Sequence, residues 1–77
     1  IMHELDKATL IGRINTNRAI LGGKPIIRNM RFSVEQVLDM LGSGVLPKQI
    51  IEEFPFLEEE DIQACILFAN KSHHAYH

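Results

Sequence analysis

The chain has 77 residues, 45% of them hydrophobic and 23% charged, with a formal net charge of −2 and one cysteine. That balance describes a single folded domain and excludes a disordered chain or an internally disulfide-bonded scaffold. The longest apolar run, ACILFA at Ala64 to Ala69, falls far short of the roughly 18 residues of a membrane span, and IMHELDKATL lacks the plan of a secretory signal, so no membrane partner and a cytoplasmic setting are expected.

Leu10 to Ile14, LIGRI, reads as a strand, and Pro25 to Ile27 with Arg31 to Ser33 reads as a hairpin whose two-residue tip is Asn29 and Met30. Gly22 and Gly23 mark a sharp turn or a close backbone approach before that hairpin. From Ser33 the period becomes helical: Val34, Val37, Leu38 and Leu41 fall at i, i+3, i+4 and i+7. Ser33 with Gln36 is a capping-box signature, and Gly42 with Gly44 supplies the exit. A second, shorter helix begins at Pro47, where a missing N–H costs nothing, presents Ile50, Ile51 and Phe54, and ends before Pro55. The third runs from about Glu59 to Asn70 with Ile62, Cys65, Ile66 and Ala69 on its apolar face, and its acidic first turn, Glu58 to Asp61, suits the positive end of the helix dipole. Phe56 and Leu57 are expected to fold back into the core. The fold class is therefore mainly α, one domain over 1–77, with a β element over 10–33, a three-helix bundle over 33–70 and a flexible tail over 71–77. A domain of this size buries only about 60% of its unfolded surface, so a homodimer is expected.

The net charge hides a division. Residues 1–32 carry six basic side chains against two acids, a balance of +4, whereas residues 33–77 carry two lysines against eight acids, a balance of −6. Such asymmetry suits an oriented interaction, with an anion meeting the first half and a cationic partner the second; the halves neutralising one another on folding is the alternative. With Asn29 and Met30 at the tip, Arg28 and Arg31 face one another while Ile27 and Phe32 pair against the helices. Like charges opposed across a hairpin are destabilising unless an anion meets them, so Arg28 and Arg31, with Lys24, are candidate nucleic-acid contacts, the alternative being that each reaches solvent or an acid of the helices.

The helices resemble a helix-turn-helix, but an acidic third helix opposes phosphate, so the hairpin is the better DNA reader. Glu52, Glu53, Glu58, Glu59, Glu60 and Asp61 are instead candidates for contact with a basic protein. His73, His74 and His77 have no cysteine or carboxylate close by in sequence and read as solvated, not as metal ligands. Cys65 reads as core. No catalytic dyad or phosphate-cradling loop is present, Gly22-Gly23-Lys24 being too short for one, so neither enzymatic activity nor a cofactor is expected.

ILGGKPIIRNMRFSVEQVLDML, then SGVLPKQIIEEFPFLEEEDIQACILFA, resembles the family catalogued as domain of unknown function 433. Its members carry a pattern close to ILGGKPVIxGTRIPVxxIL and then G-x-S-P-E-E-I-x-x-x-Y-P-x-L-T-x-E-D-I-x-x-A, and the likeness runs from about Ile14 to Ala69. The resemblance implies a homeodomain-like three-helix fold with an N-terminal β element, often dimeric, and an antitoxin-like role beside a PIN-like nuclease toxin. Asn29-Met30 stands where the family has Gly-Thr, Leu46 where it has Ser, and Glu58 where it has a capping Thr, so the second and third helices are expected to depend more on packing. The reading that results is an antitoxin-like module that binds a PIN-like toxin and DNA. Its rivals are a DNA-binding regulator without a toxin and a structural dimerisation domain.

Overall fold

The computed structural model describes residues 7–74, with side chains through residue 71. Its order is α1 (Lys7–Ile11), β1 (Ile14–Asn15), a 3₁₀ turn (Leu21–Gly23), β2 (Ile26–Ile27), α2 (Val34–Gly42), α3 (Pro47–Glu53) and α4 (Glu59–His74). The molecule is thus mainly α with a short N-terminal β element, and α2, α3 and α4 are the three helices read from the periodicity.

The N-terminal segment departs from the expected LIGRI strand. Leu10 and Ile11 belong to α1, which packs against α4. It closes with Gly12 N donating to Ala8 O at 3.1 Å and Arg13 N to Leu10 O at 3.0 Å. Only Ile14 and Asn15 are extended, pairing antiparallel with Ile27 and Ile26. On its other side β2 meets the chain entering α2, with Ile26 bridging to Ser33 and Ile27 N donating to Phe32 O at 3.1 Å. The expected hairpin therefore exists as a bridge closed by a four-residue loop, not a two-residue tip. Met30 N donates to Ile27 O at 2.8 Å, and the central residues Arg28 and Asn29 both have positive φ, 46° and 60°. Those values have the sign pattern of a type I′ turn, which asparagine tolerates well. Arg28 and Arg31 are consequently loop neighbours and not a facing cross-strand pair.

Leu21, Gly22 and Gly23 follow one another at φ 48°, 67° and 85°. Glycine occupies that region freely, while the leucine costs about 1–2 kcal/mol there.

Ser33 caps α2 as expected. Its Oγ accepts from Gln36 N at 3.0 Å, and Gln36 Oε1 accepts from Ser33 N at 2.9 Å. Gly44, at φ 92°, ends the same helix in a Schellman arrangement, with Val45 N donating to Met40 O and Gly44 N to Leu41 O, both at 3.0 Å. At α3 only the returning half of such a box is present: Gln49 Oε1 accepts from Leu46 N at 2.8 Å, while Leu46 makes no side-chain cap hydrogen bond.

The core gathers Ile27, Phe32, Val34, Val37, Ile50, Leu57, Ile62 and Cys65. Each fully buried aliphatic side chain here contributes about 1.5–3 kcal/mol. Phe32, Phe54 and Phe56 meet edge to face, with centroids 4.9 to 6.1 Å apart, although Phe56 remains half exposed. Leu57 is buried as expected.

Two further expectations fail on α4. The helix continues through residue 74 and does not stop at Asn70 with a tail from Lys71; residues 75–77 lie outside the described residues. Its buried face carries Ile62 and Cys65 as expected but also Asp61 and Ala64, and Ile66 is left 48% exposed, with α1 as well as α2 and α3 packed against the helix.

Candidate partner and nucleic-acid interface

The charged side chains divide into a set bound inside the molecule and a set left facing outward. Asp61, third residue of α4, has no exposed surface. Its Oδ2 accepts from Glu58 N at 2.8 Å, which satisfies a free N–H at the start of the helix. Arg28 grips the same carboxylate through Nε to Oδ1 at 3.0 Å and NH2 to Oδ2 at 2.7 Å, and NH2 also donates to Phe56 O at 2.9 Å. Arg13 completes the clasp, with NH1 to Asp61 Oδ1 at 2.9 Å and to Glu58 Oε1 at 2.8 Å. Burial pushes the Asp61 carboxyl up, but hydrogen bonds from Arg28, Glu58 N and Arg13 outweigh it and hold the group below the usual carboxylate range. The Glu58 hydrogen bond on Arg13 and the Asp61 hydrogen bond on Arg28 outweigh burial and raise both guanidinium pKa values.

The left-handed loop is held by the same neighbourhood. Arg28 N donates to Arg13 O at 2.7 Å and Asn29 N to Asn15 Oδ1 at 2.8 Å. Asn15 and Asn17 Nδ2 both donate to Asn29 Oδ1, at 3.2 and 3.1 Å. Arg13, Asn15 and Asn17 were not among the residues singled out from sequence. The available signals were the acidic residue three positions after Glu58, a helix-start pattern, and an asparagine at a turn tip seeking partners.

The three basic candidates do not form one rim. Arg28 is committed to Asp61. Lys24 meets Glu35 at 3.0 Å, with both side chains more than half exposed, a pair worth at most about 1 kcal/mol. Arg31 is exposed and has no ion pair among the described residues, and the same holds for Arg18.

The six acidic candidates divide likewise. Asp61 is an internal anchor and not a surface carboxylate, which departs from its expected role, and Glu58 is drawn to Arg13 while 55% of its side chain stays exposed. Glu52, Glu53 and Glu59 are exposed and Glu60 half-buried, none with an ion pair among the described residues. They flank the Phe54–Glu58 connection, two at the end of α3 and two at the start of α4.

Burial pushes the Cys65 thiol up to about 12, which leaves it protonated and suited to packing, not nucleophilic work. The side chains of His73, His74 and His77 lie outside the described residues, and among those described no His, Cys, Asp and Glu group could hold a metal. No helix among the described residues is long and apolar enough to cross a membrane.

Together these features define a small mainly helical domain with a β-hairpin element clasped onto its last helix and uncompensated carboxylates around its last helix connection. The chain belongs to the family described as Protein of unknown function (DUF433), whose model matches residues 14–69. α1 and Arg13 precede the matched segment. No curated protein and no solved structure matches the chain.

Proposed function

We propose that the chain is a non-enzymatic, homodimeric module of antitoxin type that binds a basic protein, a nuclease of the PIN-like class, through Glu52, Glu53, Glu59 and Glu60. The observation that carries this reading is that these carboxylates have no ion pair among the described residues, whereas Arg13 and Arg28 are spent on Asp61 and Glu58. A second feature supports it. Glu52 and Glu53 end α3, where the helix dipole disfavours negative charge and no basic residue offsets it. Local stability gives no reason for acids at that place; a cationic partner does, and carboxylates can occupy a phosphate-binding site by mimicking its ligand. Half-exposed Ile66 supports the homodimer. Co-expression with the product of the adjacent open reading frame tests the reading: a stable complex with a small basic nuclease supports it, and an adjacent product of another kind that does not co-purify opposes it.

The second reading, a DNA contact at the hairpin, rests on Arg31, exposed and without an ion pair among the described residues, in the loop that Asn15 and Asn17 hold. In a gel shift on the promoter region, Arg31→Ala should weaken binding and lower the salt slope by about 1. Absence of any wild-type shift at low salt removes this reading.

A further inference from the structure

A groove opens between the end of α2 and α3, lined by Met40, Val45, Gln49, Ile50, Glu53 and Phe54. We infer that it docks an amphipathic cationic segment of the partner protein, an inference that rests on the proposed binding of a basic protein and names where its apolar side chains go. The floor is apolar, and Met40 supplies a flexible, polarisable surface that adapts to different side chains. Glu53 is the one charged residue in the wall, and it is exposed with no ion pair among the described residues. Gln49 is a neutral amide, so it leaves that charge uncompensated, and its Oε1 accepts from Leu46 N. The last turns of α2 and α3 both border the groove, and neither holds a basic residue, so two negative helix ends add to the field of Glu53. Leu46, adjoining Val45 in the chain, is 61% exposed, which extends apolar surface beyond the groove's edge. An apolar trough with an uncompensated negative wall matches a helix that carries a leucine-sized anchor and a lysine or arginine one turn away.

The test is an amide chemical-shift titration of the full chain with a short synthetic helical peptide bearing leucine on one face and lysine on the other. Shifts should concentrate at Met40, Val45, Ile50, Glu53 and Phe54. Binding should fall about tenfold with Glu53→Lys and again with a peptide whose leucines are serines, while Glu59→Lys with Glu60→Lys leaves it nearly intact. Shifts spread over all the acidic residues, indifference to the leucines, or no binding at all would each overturn the inference. The two readings fail separately: partner recovery lost on reversing Glu59 and Glu60, with the groove unresponsive to the peptide, sinks the groove alone, whereas peptide binding in the groove with no basic partner recovered on co-expression sinks the proposed function alone.

Discussion

Replacing Asp61 by asparagine is expected to lower the unfolding free energy by roughly 2–3 kcal/mol, below the full cost of breaking a buried ion pair because both arginines keep some contact with water. The carboxylate has no exposed surface and holds together three parts of the molecule: the turn at Arg13, the loop at Arg28 and the first turn of α4. Asparagine keeps the size and one acceptor oxygen but cannot accept from both guanidinium groups and Glu58 N with full charge. Thermal unfolding of the two proteins at neutral pH checks this, and a variant as stable as the parent would show that the clasp adds nothing. The pH dependence follows from the same group. Its folded pKa is depressed, so its stabilisation is present above the unfolded value near 3.9 and is lost as pH falls through the folded one. Stability should therefore decline below about pH 4, and the asparagine variant should lack that part of the decline.

Reversing Glu59 and Glu60 to lysine is expected to weaken the complex with a basic partner by about 2–4 kcal/mol, roughly 30- to 700-fold. The fold should survive, because neither side chain makes an ion pair among the described residues. Both residues sit in the first turn of α4, where their charge favours the helix by about 0.3–1 kcal/mol each, so a modest fall in melting temperature accompanies the loss. Isothermal titration with the co-purified partner, beside a thermal melt, separates the two effects. Affinity that tracks the small loss of stability, with no further drop, would place the contact elsewhere.

The three helices from Val34 onward were legible because their apolar period, caps and breakers agree. Ser33, Gln36, Gly44 and Pro47 each serve where local rules put them. The N-terminal part was not, since an apolar run as short as LIGRI fits a helix end and a strand equally, and its fate depended on α4 offering a surface to α1. The site was half legible. Composition showed that acids and bases were segregated, but not which of them the fold would bring together. Arg28 and Asp61 are 33 positions apart, and Arg28 sits at a positive φ of 46° that no local pattern announces. The sequence left Arg28 two readings, a contact with an outside anion or with an acid of the helices, and the fold takes the second by pairing it with Asp61.

The central claim is that charge not used to hold this fold is kept for a partner, and the pair at the end of α3 tests it most directly. Lysine at Glu52 and Glu53 would favour the negative helix end where the acids oppose it, raising stability by about 0.3–1 kcal/mol for each residue. Titration of that double variant with the basic partner is the measurement. A protein that melts higher than the parent and no longer binds agrees with acids retained for recognition; one that melts higher and binds as well as the parent contradicts it.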